Sequence, residues 1–359
     1  MIDQVHPIIT SHDAWAVYNY LISGGWVTEF NKTKQFAEKI QQFIEVPYAS
    51  LCPNGTLGLY LALKAAGIGP GNRVAVPNYT MVATANAVRM AGAEPVFVDV
   101  DTGSWCMSPD DLRLLPEGSI EAVLFVEING RGGRLPEVID ICQKNHLVLI
   151  EDACQAFGSG MLNKKYGSFG DFGVFSFSPH KIITTGQGGA VVTNNKKYYD
   201  RIEELRDFGR TKPGVDEHIA LGFNFKFTDM QAALGLAQFE TIKSRMLVKR
   251  TLHKRYSVGL DSCPATIKPM GDSEIPWFIE LLAPKGSRYE LIRYLKGCGI
   301  GTRPCYPALT DQQIYDQYPR PTSPAPAADA LWLPSSLDLT ETDVSGICDH
   351  IKKFYKDKS

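Results

Sequence analysis

The sequence predicts an α/β protein, with a mainly parallel seven-stranded sheet in a large N-terminal domain and a smaller α/β domain at the C-terminus. Three observations carry this expectation. Seven short apolar runs fall between residues 47 and 195, the early ones alternate with segments of helical period, and the pattern changes after Cys263-Pro264. Continuous apolar strands separated by helices are what a parallel sheet covered on both faces requires.

Taken in order, the strand-like runs are 48–52, 73–77, 95–100, 122–128, 147–151, 173–177 and 190–193, and helical periods occupy 56–66, 80–91, 109–115 and 136–145. The last three runs lack room for full helical crossovers between 173 and 193, so that end of the sheet is expected to depart from simple β-α-β winding. A helix over 196–207 follows, and then a Gly/Pro-bearing loop. A long helical pattern runs from Thr228 toward Arg255; the basic residues of its second half (Lys243, Arg245, Lys249, Arg250, Lys254, Arg255) interleave with apolar ones and read as the solvated face of a connecting helix. Beyond residue 263 come a strand at 277–282, a helix at 289–296 and a Pro-rich stretch at 319–326. A terminal helix is opened by Thr340 with Asp343 three residues on, a capping arrangement. The expected division is 1–240 for the large domain and 241–359 for the small one.

Composition bounds the function. A chain of 359 residues that is 44% hydrophobic and 21% charged can bury a substantial core, which excludes disorder. The formal charge of −2 argues against a nucleic-acid or anionic-membrane partner, since both demand a basic excess. The eight cysteines form no C-x-x-C pair, and several, such as Cys142 and Cys348, sit in apolar runs; they read as free thiols in a reducing compartment, with no metal site. The N-terminus carries Asp3, His6, His12 and Asp13 where a signal peptide needs a basic start and an apolar stretch. No run approaches the ~18 apolar residues of a membrane span. A cytoplasmic protein is expected.

Three segments are candidates for chemistry. Asn54-Gly55-Thr56 lies between a strand and a helix, where a small residue lets backbone N–H groups and the helix dipole reach an anion; the competing reading is an ordinary turn with Asn54 as N-cap. Gly67-Ile68-Gly69-Pro70-Gly71 resembles a dinucleotide loop, but it follows a helix and precedes a strand, so it reads as a helix C-cap and turn. Glu151-Asp152 closes the apolar run 147–150, at the strand edge where α/β sheets bind ligands; either carboxylate could instead cap the next element. Lys181, in Ser176-Phe177-Ser178-Pro179-His180-Lys181 and ahead of Thr184-Thr185-Gly186-Gln187-Gly188-Gly189, is a candidate for a partly desolvated amine of the kind that forms Schiff bases. A lysine, a strand-edge acid and a phosphate-cradling helix start are together what pyridoxal 5'-phosphate needs.

These residues resemble the DegT/DnrJ/EryC1/StrS aminotransferases, which act on keto sugars of nucleotide-sugar pathways and on related cyclitols. The resemblance spans nearly the whole chain. Besides the segments above it includes 76–87, 95–99, Gly222 to Asp229 and Arg303-Pro304-Cys305-Tyr306-Pro307. It implies the type I aminotransferase fold and a homodimer with active sites at the subunit interface. It also implies roles: Lys181 as the cofactor-linked lysine and proton shuttle, Asp152 paired with the pyridinium nitrogen, and Gln155 on the ring's hydroxyl side. Gly55, Thr56 and Ser176 would hold the phosphate, with Asn224 reaching it from the partner subunit. Arg303 and Tyr306 fall in a segment that approaches the sugar nucleotide.

Departures from the family pattern are also legible. Met81 stands where relatives commonly carry an aromatic residue that stacks on the cofactor; a thioether can still cover the ring. Gln187 replaces a common Glu, the usual histidine after Tyr306-Pro307-Ala308 is absent, and His180 is either a substrate contact or a structural residue. Dehydratase relatives carry histidine in place of the lysine, so Lys181 favours amino transfer. The implied activity is transfer from glutamate to a nucleotide-linked 4-keto-6-deoxy sugar, in deoxyamino-sugar and polysaccharide biosynthesis. The run Lys181 to Gly186 looks closest to the perosamine- and viosamine-type subgroup acting at C4. A 3-keto-sugar or aminocyclitol aminotransferase, and a non-catalytic cofactor-binding regulator, are the rival readings.

Overall fold

The computed structural model describes residues 1–212, 214–321 and 327–358. Among these the chain opens with α1 (Ser11–Ile22) and α2 (Asn31–Ile44), for which the sequence reading has no counterpart. α1 starts in a capping box in which Thr10 and Asp13 satisfy each other's backbone N–H groups at 2.8 and 3.2 Å. α2 buries Phe36, Ile40 and Ile44, spaced at 3.6-residue period, in the main core.

The main sheet follows: β1 (Tyr48–Cys52), α3 (Gly55–Ala65), β2 (Arg73–Pro77), α4 (Ala83–Met90), β3 (Glu94–Val98), α5 (Pro109–Arg113), β4 (Ala122–Val126), α6 (Leu135–Lys144) and β5 (Val148–Asp152). A hairpin of β6 (Gly160–Met161) and β7 (Lys164–Lys165) precedes β8 (Phe172–Ser176), β9 (Gly189–Thr193) and α7 (Lys196–Arg206). All seven expected strands form, in the order β1-β9-β8-β5-β4-β2-β3. Every neighbouring pair is parallel except the two that involve β9. Residues 177–188, between β8 and β9, contain no helix, so the chain returns antiparallel, and Lys181 lies in that return. Gly67 ends α3 as expected: its N–H bonds the Lys64 carbonyl and that of Ile68 bonds Leu63.

Two expectations are corrected. The helical pattern from Thr228 is two helices, α8 (Asp229–Glu240) and α9 (Ile242–Gly259). At the break, Thr241 Oγ1 donates to the Gln238 carbonyl (3.1 Å) and accepts from Arg245 Nε (2.8 Å), so a side chain competes with the helical ladder. Nor is the basic half of α9 wholly solvated. Arg245 and Lys249 are buried and donate to backbone carbonyls, whereas Lys243, Arg250 and Lys254 are exposed.

β10 (Thr266–Ile267), β11 (Ile279–Leu282), α10 (Arg288–Gly297), β12 (Arg303–Pro304), β13 (Ala330–Leu333) and α11 (Glu341–Lys356) complete the chain. Their antiparallel sheet runs β10-β11-β13-β12. Leu281, Leu331 and Leu333 pack with Leu252 of α9, Leu291 of α10 and Ile351 of α11 in a second core. Thr340 and Asp343 form the expected capping box of α11. Of the expected Pro-rich stretch, residues 322–326 lie outside the described residues. The chain's first residues lie against these C-terminal elements, with Ile2 forming an isolated bridge to Ile300 and the Ser335 N–H bonding the Gln4 carbonyl at 2.8 Å. Among the described residues no helix is long and apolar enough to cross a membrane, and no His/Cys/Asp/Glu group could hold a metal.

Candidate active site

The start of α3 forms one wall. Asn54 is an N-cap, its Oδ1 accepting the Leu57 N–H at 2.9 Å, so the bland reading of this residue holds. That cap leaves other donors of the helix start unused. In the first helical turn the N–H groups of Gly55 and Thr56 have no intrahelical acceptor. A Cβ on Gly55 would stand 2.6 Å from Cys154 Sγ and 3.2 Å from Ser176 Cβ. Gly55 is thus what allows the end of β8, the segment after β5 and the helix start to meet. Gly189 serves the same approach: a Cβ there would lie 2.7 Å from the Asn54 carbonyl carbon.

At the end of β5 the structure gives the two neighbouring carboxylates different partners. Glu151 turns to the loop before β8 and accepts the N–H groups of Gly167, Phe169 and Gly170, each at 2.7 Å. Asp152, next along the strand and so on the opposite face, accepts from Thr84 Oγ1 (2.8 Å) and from the Cys154 N–H (3.3 Å). Thr84, on α4, sits inside the stretch that carries the resemblance, but sequence alone does not tie it to Asp152. Gln155 Oε1 accepts the Asn129 N–H at 2.8 Å, and because that group can only donate, the Nε2 end of the amide is left for another acceptor.

Lys181 is half-buried; its N–H bonds the Ser178 carbonyl at 3.0 Å, while its Nζ makes no hydrogen bond among the described residues. Its Nζ lies 3.6 Å from the centroid of the Trp277 ring. Burial pushes the amine down to about 8, against the opposing pull of Cys154 and Asp152. Trp277 donates from Nε1 to the His180 carbonyl (2.8 Å), and its own carbonyl receives Lys249 Nζ (2.8 Å). The sequence reading has Trp277 as a strand residue and Lys249 on a solvated face; neither carries a local signal of this arrangement.

The remaining expected residues sort by position. His180 is exposed, and its imidazole is held below the ordinary value by desolvation and by the charges of Arg303 and Lys181, which places Arg303 within electrostatic reach. Tyr306, raised by burial, senses both Arg303 and Asp152 and packs edge-on against Trp332 at 4.7 Å. The Arg303 guanidinium stands 5.3 Å from the same Trp332 ring. Met81 is 43% exposed at the approach to α4, its sulfur accepting the Ala83 N–H at 3.0 Å. Asn224 is not brought to these residues within the chain: it is exposed, bridges Asp207, and makes no hydrogen bond to Asp152, Ser176 or Lys181 among the described residues.

The donor set fits pyridoxal 5'-phosphate. A helix start with free N–H groups beside the Ser176 and Thr56 hydroxyls suits a phosphate dianion. A buried, pre-aligned carboxylate suits a pyridinium N–H, and a desolvated amine near neutrality suits Schiff-base chemistry. The model of the DegT/DnrJ/EryC1/StrS aminotransferase family matches residues 9–352. The chain is 34% identical over 349 residues to GDP-perosamine synthase of Escherichia coli O157:H7, covering 95% of each protein. It is 31% identical to GDP-perosamine synthase of Vibrio cholerae over 94% of this chain and 95% of that one. Among solved structures, S. venezuelae DesV in complex with a ketimine intermediate superposes with a TM-score of 0.89 at 26% identity, over 96% of this chain and 94% of that one. With fold, donor set and relatives in agreement, the chain belongs to the DegT/DnrJ/EryC1/StrS family and is a pyridoxal-phosphate-dependent sugar aminotransferase.

Proposed function

We propose that this enzyme moves an amino group from glutamate to the C4 keto carbon of a nucleotide-linked 4-keto-6-deoxy sugar. The observation that carries the reading is the meeting of Lys181, Asp152 and Ser176 at the C-terminal edge of the sheet, against the start of α3. The choice of sugar is supported by relatives named GDP-perosamine synthase and by the likeness of the run Lys181 to Gly186 to that subgroup.

When bound, the cofactor supplies an electron sink for negative charge at the reacting carbon. The chain's own residues supply the rest. Asp152, aligned by the Thr84 hydroxyl and the Cys154 N–H, holds a proton on the ring nitrogen. Lys181, with an amine near pH 8, moves protons at the reacting carbon, since a group titrating close to working pH is both a competent base and a competent acid. Gly55, Thr56 and Ser176 bind the phosphate, joined by the partner subunit's Asn224. Gln155 Nε2 donates on the hydroxyl side of the ring, and Met81 covers its face. His180, Arg303 and Tyr306 face the sugar nucleotide. The enzyme works as a homodimer in the cytoplasm, a placement supported by eight cysteines that are all free thiols, with 1–240 and 241–359 as its two domains.

The test pairs a substrate panel with one variant. Pyridoxamine-loaded enzyme is offered GDP-, UDP- and dTDP-linked 4-keto and 3-keto sugars and a keto-inositol, and glutamate turnover is followed as 2-oxoglutarate. A 4-amino sugar is the expected product; amination confined to a 3-keto sugar or the cyclitol overturns the assignment. Lys181→Ala is expected to lose the visible cofactor band and turnover together, and normal transamination by that variant removes Lys181 from its role.

A further inference from the structure

Lys181 and Lys249 line one cavity of about 20 Å³ together with Cys154, Gln155, Ser176 and Trp277. The two side chains are held in different ways. Lys249 Nζ is committed to the carbonyls of Trp277 (2.8 Å) and Ser335 (2.5 Å). Lys181 Nζ has no such acceptor and lies over the Trp277 indole at 3.6 Å. Trp277 is itself held at three points. Its Nε1 bonds the carbonyl of His180, the residue before the lysine; its backbone carbonyl is held by Lys249; and its ring stacks on Phe278 with centroids 3.9 Å apart. The surface that receives the amine is therefore tied to the backbone that carries it.

We propose that Trp277 is a positioning residue for Lys181: its indole face holds the ammonium form of the amine whenever that amine is not bonded to the cofactor. The proposal rests on the reading of Lys181 as the cofactor-linked lysine. An aromatic face suits this task better than a carboxylate. The ring quadrupole attracts a desolvated cation but supplies no full charge, so the amine keeps its place without being locked in the protonated form. Other groups bear on the same amine: Asp152 and Cys154 favour the cation, Lys249 lines the same cavity, and the neighbouring His180 imidazole senses the charges of both Lys181 and Arg303. Trp277→Leu and Trp277→Phe both lose the Nε1 bond to the His180 carbonyl, so the difference between the two variants reports the ring face.

The experiment uses full-length enzyme loaded with pyridoxamine phosphate, in which the Lys181 amine is free. Brief acetic anhydride pulses across a pH series, followed by peptide mapping, give a protonation profile for each lysine. In Trp277→Leu the Lys181 midpoint is expected to fall by about one pH unit, a tenfold fall in the ammonium-to-amine ratio at fixed pH. In Trp277→Phe it is expected to fall by about half as much, because a smaller ring keeps part of the quadrupole. Lys249, bonded to a backbone carbonyl, is expected to keep its profile and so reports an intact fold. A Lys181 profile that is unchanged, or moved upward as though the indole had only excluded water, overturns the proposal. Should the leucine variant fail to fold, the phenylalanine variant decides the matter by the same criterion. Borohydride reduction of the pyridoxal-loaded enzyme tests the underlying reading separately: cofactor fixed to another lysine overturns the role of Lys181, whatever the Trp277 variants do.

Discussion

Asp152 has a second carboxyl group behind it. Glu127, just past β4, bonds the Asp152 carbonyl through its N–H at 3.4 Å, and no donor reaches either of its buried side-chain oxygens among the described residues. The Glu151 carboxylate faces it. Burial raises both groups, but three amide donors mark Glu151 as the ionised member, so the proton resides on Glu127, held well above the ordinary value by desolvation and by the Glu151 charge. A carboxyl group raised in the folded state binds more protons folded than unfolded. Its contribution is present below the unfolded value and is lost as pH rises toward the folded one, by up to about 1.4 kcal/mol per pH unit in that window. Glu127→Gln keeps the donor to Glu151 and has no proton to lose. Urea unfolding at pH 6 and pH 8 is expected to show a steeper loss in the wild type than in this variant. Parallel losses in the two proteins place the proton elsewhere.

At the scale of elements, the site is made where α3, β5 and the β8–β9 return converge, and glycine sets how closely. Gly55→Ala places a methyl group 2.6 Å from Cys154 Sγ, in a wall with little room to move. Overpacking of this kind costs ~1–3 kcal/mol, and here the displacement falls on the N–H groups assigned to the phosphate. The variant is expected to melt lower and to bind the cofactor at least about tenfold more weakly by fluorescence titration, since ~1.4 kcal/mol of lost contact suffices for that. Unaltered cofactor affinity would separate this helix start from the phosphate. Much of this was readable from local pattern: the seven strands, the α3 start and the α11 cap rest on apolar runs, small residues and capping residues close in sequence. The break at Thr241 was not, because it depends on one threonine side chain bonding within the helix rather than on periodicity.

For the whole molecule, the surface matters as much as the core. α1 and the segment after it expose Trp15, Tyr18, Leu21, Ile22 and Trp26, and Asn224 is exposed away from its own chain's Lys181. Both features fit the proposed dimer with shared sites, which can be tested by complementation. Lys181→Ala and Asn224→Ala subunits are mixed and refolded together, then assayed at a cofactor concentration too low for the Asn224→Ala parent. Hybrids carry one site with both residues intact, so recovery to about a quarter of wild-type activity is expected for random pairing into symmetric dimers. A mixture no more active than its parents means that each site is built from one chain.

The sequence by itself determined the α/β class and the strands, and singled out Lys181, Asp152 and the start of α3 as candidates, because each follows from residue types at local spacing or from a recognisable run of them. Only the tertiary structure decided which partners Glu151 and Asp152 each bond, that Lys249 is buried on carbonyls, and that Trp277 lies under Lys181. The physical reason is distance along the chain. The Lys249 carbonyl partners lie 28 and 86 residues away, and Asp152 is met by a hydroxyl 68 residues earlier. Pairings over such separations are set by how strands and helices pack, and no local period encodes them.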